Sequence, residues 1–178
     1  MDNQQITQTE LAWLAGIWDG EGTISLRRNL NNAGRQGALQ VSPRVSMVNT
    51  NAAILERVCD ILNRMDVHYY MREKGAGGFE GSHRQCWIIA VETLSQSIKL
   101  LTALRPFLIG KRFQADCLLQ FVQSRLEKTA RRKGMTSPTF NKQFAYTSEE
   151  LGWCAQIVQA NGDQRGISEA IRQAAVGR

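Results

Sequence analysis

The chain has 178 residues, enough for one domain of about 150 residues with a well-formed core and a short extension. Its composition, 43% hydrophobic and 21% charged residues with only three prolines, excludes a disordered chain. Lys and Arg number 22 against 16 Asp and Glu, and the resulting net charge of +6 favours a polyanionic partner without identifying one.

The first residues contain neither the basic region nor the apolar region of a secretory signal, and no apolar run approaches the ~18 residues that span a bilayer. We therefore expect an intracellular protein, cytoplasmic, nucleoid-associated or organellar, without a membrane partner. The four cysteines lie 27, 31 and 37 residues apart, with no C-x-x-C pair. This spacing predicts four buried or half-buried thiols in a reducing compartment and disfavours a disulfide or a zinc site.

Capping residues and periodicity predict the order of the elements. Thr7 and Glu10 form a capping box at the start of a helix that ends at residues 20–22. Alternating apolar and polar residues then predict two pairs of strands, with a helix after each pair. The expected segments are strands near 24–27 and 39–47, a helix over 51–65, and strands over 67–74 and 84–92. A helix over 94–108, broken near Pro106 and Gly110, and a helix over 111–127 follow.

The predicted order, αββαββα with a further helix, indicates an α+β fold in which helices cover one face of an antiparallel sheet. The other face is left to solvent or to a ligand. That face is basic: no Asp or Glu occurs between residues 22 and 55, and the outward positions of the third strand are His68, Tyr70, Arg72 and Lys74. Such a face suits a DNA groove, where Arg recognises guanine. An ordinary solvated surface explains the charges equally well.

Residues 14–22 read Leu-Ala-Gly-Ile-Trp-Asp-Gly-Glu-Gly. This stretch resembles the signature of the LAGLIDADG homing endonucleases: it keeps the acid at Glu21 and departs at Trp18 and Gly20. The outright matches are Leu14, Ala15, Gly16, Asp19 and Gly22. The resemblance also covers the element order over residues 7–127. It implies the αββαββα fold of that family, with a saddle-like antiparallel sheet, and site-specific, Mg²⁺-dependent cleavage of both strands of DNA.

The residues of the motif also suggest chemistry of their own. Ala12, Gly16 and Gly20 recur every four residues and form a smooth helix face, which a second copy of the helix can approach closely. We predict a dimer interface of Ala12, Gly16, Gly20 and Asp19, with Asp19 bonded to backbone amides of its own chain or of the partner. In such a dimer each chain delivers Glu21 close to the two-fold axis.

A metal ion is expected at Glu21. A carboxylate just past a helix C-terminus faces the negative end of the helix dipole, and a divalent cation relieves that repulsion. Oxygen ligands from Glu21 and the Gly20 carbonyl, completed by waters and phosphate oxygens, suit Mg²⁺, which would activate a water for phosphodiester hydrolysis. The structural alternative is that Gly20 and Gly22 only cap the helix and that Glu21 is a solvated carboxylate.

The resemblance implies two further catalytic positions. In single-motif members a lysine follows a Pro-Phe-Leu stretch, here residues 106–108, so Lys111 is the candidate for stabilising phosphate charge, with Arg112 as its rival. A polar amide at the end of the second strand often positions water in these enzymes, and Asn49 is the nearest match. A role for Asn49 at the start of the following helix explains it equally well.

The resemblance also places DNA contacts on the outward residues of the sheet. Phosphate contacts would position the protein, and base contacts would specify the sequence. The candidate DNA-binding residues are Ser25, Arg27, Asn29, Gln40, Ser42, Arg44, Tyr70, Arg72, Lys74, Arg84 and Arg112.

Only one complete motif occurs, so we expect a homodimer on double-stranded DNA with a near-palindromic site. Residues 147–157 echo residues 7–17, but the 17 residues after Asn161 cannot build a second sheet, which favours a capped helix over a decayed motif. The predicted division is an endonuclease domain over 1–128 and a basic linker with C-terminal helices over 129–178. The linker either crosses the DNA backbone or forms a solvated tail.

These observations predict a homing endonuclease encoded by a mobile intron or an intein-like element. The alternative is a non-cleaving relative of the same fold, either a DNA-binding regulator or a maturase that binds an intron RNA. Glu21 and Lys111, the two residues that cleavage most needs, are both present and favour the enzyme.

Overall fold

The computed structural model describes residues 5–28, 41–74, 85–130 and 145–162. Within these ranges the chain forms helices and strands in the predicted order. The elements are α1 (Gln8–Glu21), β1 (Gly22–Arg28), β2 (Val41–Asn49), α2 (Ala52–Arg64), β3 (Tyr70–Lys74), β4 (Cys86–Val91), α3 (Leu94–Leu104), a 3₁₀ turn (Arg105–Phe107), α4 (Arg112–Ala130) and α5 (Ser148–Ala160).

The four strands form one antiparallel sheet in the order β1-β2-β4-β3. Side chains alternate between its faces: Ile24 and Leu26 on β1 are buried, whereas Arg27 on the same strand is exposed. The buried face packs against side chains of the helices, among them Trp18, Leu100 and Phe121, in one hydrophobic cluster. The predicted α+β fold, with helices on one face of an antiparallel sheet, is confirmed.

The third strand is shorter than predicted. It begins at Tyr70 and not at Val67, because Val67 still belongs to the turn that ends helix α2. The backbone N–H of Val67 donates to the carbonyl of Leu62 at 2.9 Å, and Asp66 takes a left-handed φ of 51°. Val67 is buried as part of this turn, and the pairing of β3 with β4 begins only at Tyr70.

Helix α1 is anchored to α2 through Glu10. The predicted capping box is present, since Thr7 and Glu10 each bond the other's backbone N–H. Glu10 also forms ion pairs with Arg57, at 2.6 Å, and with Arg64. The bond from Arg64 and the backbone N–H of Thr7 hold the pKa of Glu10 at about 2, well below its ordinary value. The start of the motif helix is therefore fixed to the neighbouring helix.

Helix α5 belongs to the same core as the rest of the domain. Its buried residues, Leu151, Cys154, Ile157 and Val158, join the hydrophobic cluster, and the helix contacts α4 and β1. Asn161 donates from Nδ2 to the carbonyl of Ile24 at 2.8 Å, which satisfies a backbone group on the edge strand β1. Residues 147–157, whose sequence resembles residues 7–17, therefore begin a capped helix, with a capping box formed by Thr147 and Glu150.

A buried carboxylate joins α5 to α4. Glu150 is 0% exposed and accepts hydrogen bonds from Ser124 at 2.8 Å and from Lys128 at 2.6 Å. Burial opposes its ionisation, but the bonds from Lys128, Thr147 and Ser124, with the charge of Arg125, hold the pKa of Glu150 below its ordinary value. The carboxylate therefore stays ionised inside the core.

We predict that Glu150→Gln lowers the free energy of unfolding by about 1–3 kcal/mol, because charged hydrogen bonds are lost in a buried site. Glu149→Gln, the exposed neighbour, should change it by less than ~0.5 kcal/mol. Since folding lowers the pKa of Glu150, its contribution is present above pH 4.5 and is lost as the pH falls below that value. Urea denaturation at several pH values measures both effects, and equal losses in the two variants would contradict the prediction.

No disulfide joins the four cysteines, of which Cys117 and Cys154 are buried and Cys59 and Cys86 half-buried. Burial raises the pKa of Cys154 to about 12. Among the helices that the structure describes, none is both long and apolar enough to cross a bilayer.

Candidate active site and nucleic-acid interface

The site is built at the junction of α1 and β1. A Cβ atom on Gly22 would lie 2.5 Å from Trp18 Cδ1 and 2.6 Å from the Trp18 carbonyl oxygen, so only glycine fits there. Trp18 itself is fully buried in the core. The close approach lets the chain pass directly from the helix into the edge strand. As a result Glu21, the last residue of α1, is exposed at the junction.

Asp19 holds a distant loop against this junction. Its Oδ2 atom accepts hydrogen bonds from the backbone N–H groups of Ile109, at 2.7 Å, and Gly110, at 3.1 Å, while Oδ1 accepts from the N–H of Lys111 at 2.9 Å. These N–H groups precede α4, which begins at Arg112, so the carboxylate also lies at the positive end of that helix. The structure therefore shows Asp19 bonded to amides of its own chain.

Lys111 is brought to the end of α1 by the same loop. Its Nζ atom donates to the backbone carbonyl of Asp19, two residues before Glu21. Partial burial opposes ionisation of Asp19, but the three N–H donors and the Lys111 charge outweigh it and hold the pKa of Asp19 below its ordinary value. The ammonium group and the exposed carboxylate of Glu21 thus occupy the same end of one helix.

Asn49 lies at the same end of the sheet. Gly22 pairs with Met47, so the residue before Gly22 and the residues after Met47 sit together at this end of the β1-β2 ladder. The Asn49 side-chain oxygen accepts from the N–H of Asn51 at 2.8 Å, and Asn51 caps α2. Asn49 therefore supports the start of helix α2, and its role in positioning a water stays a prediction.

Several of the predicted DNA-binding residues lie on the open face of the sheet. By strand register Ser25 pairs with Arg44 and Arg27 with Ser42, all on the face opposite the core. Tyr70 and Arg72 occupy alternate positions of β3 on that same face, and Lys74 is the last residue of the strand. Arg112 is exposed at the start of α4. The candidates Asn29, Gln40 and Arg84 lie outside the described residues.

Glu92 is a member of this face that the sequence analysis did not identify. It directly follows β4 and accepts hydrogen bonds from Arg27 at 2.7 Å, from Arg44 at 2.5 Å and from the Tyr70 hydroxyl at 3.1 Å. The alternation of Ile88, Ala90 and Glu92 along β4 could have placed it there. Three side chains that were predicted to contact DNA therefore donate hydrogen bonds to the same carboxylate.

The predicted dimer face of α1 is exposed. Ala12, Gly16 and Gly20 all face away from the core, and a Cβ atom on either glycine would meet no atom within 4 Å among residues 5–28, 41–74, 85–130 and 145–162. Exposed apolar side chains flank this stripe at Trp13 on α1 and at Ile109, which is 89% exposed in the loop that Asp19 holds. The small-residue face thus borders an apolar surface.

Comparison with known proteins gives a match to one protein family. Residues 8–103 match the model of the LAGLIDADG-like domain. The chain belongs to the LAGLIDADG family. The match spans the motif helix, the whole sheet and most of α3, so it covers the elements that carry Glu21 and the open face. A search of curated proteins gives no significant match.

Several solved LAGLIDADG homing endonucleases share the fold. I-CvuI, bound to uncleaved I-CreI target DNA in 2 mM Mg, superposes with a TM-score of 0.64 at 20% identity, covering 96% of this chain and 94% of the other. I-CeuI with DNA gives 0.64 at 14% identity, covering 98% and 78%. The archaeal intron-encoded I-Vdi141I with DNA gives 0.61 at 13% identity, covering 95% and 98%. These likenesses establish the shared fold.

Proposed function

We propose that this LAGLIDADG protein is a homing endonuclease that binds double-stranded DNA on its open sheet face and hydrolyses both strands. The observation that carries the proposal is the set of hydrogen bonds from the loop before α4 to Asp19, which we call the Asp19 clamp. It brings Lys111 to the end of the helix that exposes Glu21. The three solved relatives described above are homing endonucleases in complex with DNA. A cation and an exposed carboxylate at one edge of a basic sheet suit phosphodiester chemistry.

Mg²⁺ fits the donor set at this end of α1. The part of the chain that the structure describes contains no group of three side chains able to hold a metal ion. Mg²⁺ does not need one, because it commonly binds one or two carboxylates together with waters and substrate phosphates. Glu21, exposed at the helix end, and the Gly20 carbonyl would hold the ion. When bound, it would supply an activated water and stabilise charge on the reacting phosphate.

Each protein residue then has a separate task. Glu21 provides the negative charge at the junction, and Lys111 is held beside it through the Asp19 carbonyl, where its ammonium stabilises the negative phosphate. Asn49, at the end of the neighbouring strand, would orient a water through its amide group. The open face positions the duplex above these residues through its Arg and Ser side chains.

The protein acts as a homodimer in this proposal. One chain carries one Glu21, and cleavage of two DNA strands needs two such sites. The exposed stripe of Ala12, Gly16 and Gly20 permits close contact between two α1 helices, and the exposed Trp13 and Ile109 beside it provide apolar area for the contact. The pair of sites would then lie on either side of the two-fold axis.

Gly16→Gln is expected to give a monomer that remains folded. No atom of the described residues lies within 4 Å of the added Cβ, and Gln is the better helix former by up to about 1 kcal/mol, so the melting temperature should stay the same or rise. A second α1 helix could no longer approach. Light scattering after size exclusion measures the mass, with Ala155→Gln on the exposed face of α5 as the control. A dimeric Gly16→Gln variant would remove α1 from the interface.

The proposal is tested by incubating the purified protein and Mg²⁺ with a plasmid that carries the joined DNA flanks of its own reading frame. We expect one double-strand break at the junction, because a mobile endonuclease gene interrupts its own target. Binding without cleavage, unchanged in Glu21→Gln, would instead support the DNA-binding regulator or the maturase. Failure to bind any duplex would overturn the proposal.

A further inference from the structure

The carboxylate of Glu92 connects side chains from three strands on the open sheet face. Its Oε2 accepts from Arg27 Nη1 on β1, and its Oε1 accepts from Arg44 Nη1 on β2 and from the Tyr70 hydroxyl on β3. The Glu92 side chain is 18% exposed and Arg44 is 22% exposed, so this pair is largely shielded from water, whereas Arg27 at the edge of the cluster is 51% exposed. The three residues were predicted to contact DNA independently, yet the structure holds them as one unit.

An acid in this position is unfavourable for binding phosphate. A duplex surface is densely negative, and a carboxylate among the arginines that approach it reduces the attraction. Glu92 is also the residue that turns the Nη1 groups of both arginines towards one point. Each guanidinium has five N–H donors, and only one of them is used by Glu92 in this arrangement. Within the described ranges of the chain the remaining donors have no other hydrogen-bond partner, so they could be presented to a ligand in a fixed orientation.

We propose that Glu92 is a positioning residue for base recognition, which rests on the function proposed above. By holding Arg27 and Arg44, it presents their free N–H groups to base edges and keeps them from swinging to phosphates. Bidentate recognition of guanine requires a fixed guanidinium plane, and a side chain ordered before binding loses less entropy on contact. Tyr70 completes the arrangement by donating to the same carboxylate.

The cluster is separate from the cleavage residues. Arg44 pairs with Ser25, four residues after Glu21, which is about 13 Å along an extended strand. Changes at Glu92 should therefore act on which DNA is bound and not on the chemistry at the end of α1.

The test compares Glu92→Gln with Glu73→Gln. Both variants add one unit of net charge, but Glu73 is exposed on β3 at a position that alternates with the open face, and it forms no ion pair within the described ranges. The probes are a random-sequence duplex, bound over a series of salt concentrations, and a randomised duplex library from which the preferred sites are selected. Melting temperatures of both variants confirm that they are folded.

We expect Glu92→Gln to bind the random duplex more tightly than Glu73→Gln and to steepen the slope of log affinity against log salt by about one to two. Base preference should fall about tenfold at one symmetric pair of positions, and Glu92→Asp should restore part of it. If Glu92→Gln and Glu73→Gln behave alike, only net charge matters and the inference is overturned while DNA binding stands.

A measurement on the unmodified protein tests independently whether the two arginine side chains are held in place. In the DNA-free protein the Nη1–H signals of Arg27 and Arg44, the groups that donate to Glu92, should exchange slowly with water in NMR spectra, as held guanidinium groups do. Freely rotating side chains would overturn the inference without any variant. A protein that binds neither the random duplex nor the library would overturn the proposed function together with it.

Discussion

Glu21→Gln is expected to abolish cleavage and to leave DNA binding intact. Gln has nearly the shape of Glu, but a neutral amide cannot replace the carboxylate as a ligand for a divalent cation. We expect the cleavage rate to fall by about 10³-fold or more. Affinity for the duplex should stay the same or rise slightly, because one charge that repels phosphate is removed. Digestion of a labelled target and a mobility-shift assay measure the two quantities on the same samples.

Glu56→Gln is the matched control, since it removes an exposed carboxylate from α2, on the helical layer away from the open face. It should cleave at the rate of the unmodified protein. Cleavage by Glu21→Gln at that same rate would take Glu21 out of the chemistry and would place the metal elsewhere. Equal losses in both variants would show that net charge, and not the position of the carboxylate, decides the rate.

The sheet and its helices could be predicted because local patterns determine them. Ile24 and Leu26 alternate with Ser25 and Arg27, and the structure buries the first pair and leaves the second at the open face. The helix expected to reach residue 108 ends at Leu104, with a 3₁₀ turn around Pro106, because proline removes a backbone donor. Boundaries shifted by a few residues, but the order and the type of each element were correct.

The partners of Asp19 could not be predicted, because they lie 90 to 92 residues away in the chain. Nothing in the local pattern around residue 19 indicates which backbone N–H groups its carboxylate accepts. The same is true of α5: its capping box is readable from Thr147 and Glu150, but its place against α4 and the edge of β1 depends on tertiary packing. A segment that was predicted to be an extension therefore contributes to the core.

The open face was predicted in part. Strand alternation was sufficient to select Arg27, Arg44 and Tyr70, because each is a polar residue at an outward position. It did not show that they share Glu92, since the sequence contains no acid near the first two strands and the fourth strand reads as apolar. Only the register of β2 against β4 brings Glu92 level with Arg44. Cross-strand contacts of this kind depend on the pairing and not on the composition of any one strand.

Asp19→Asn is expected to destabilise the fold and to impair cleavage together. An amide presents one oxygen and one NH₂ group, so at least one of the three N–H groups of the loop that precedes α4 would face a donor instead of an acceptor. Because Asp19 is only half-buried, we expect a loss of about 1–2 kcal/mol in the free energy of unfolding. The loop that holds Lys111 beside α1 would loosen, and the cleavage rate should fall even at temperatures where the variant is folded.

Asp60→Asn is the control for this variant, because Asp60 is an exposed partner of Arg57 and Arg64 and its loss should cost less than ~1 kcal/mol. Folding lowers the pKa of Asp19 below 3.8, so its contribution to stability is present above that pH and disappears as the pH falls through the lowered value. The difference in stability between the unmodified protein and Asp19→Asn should therefore shrink in acid, whereas a difference that stays constant with pH would mean that the carboxylate charge does not hold the loop. Chemical denaturation from neutral to acidic pH, with cleavage assayed on the same preparations, separates the loss of the clamp from a general loss of the fold.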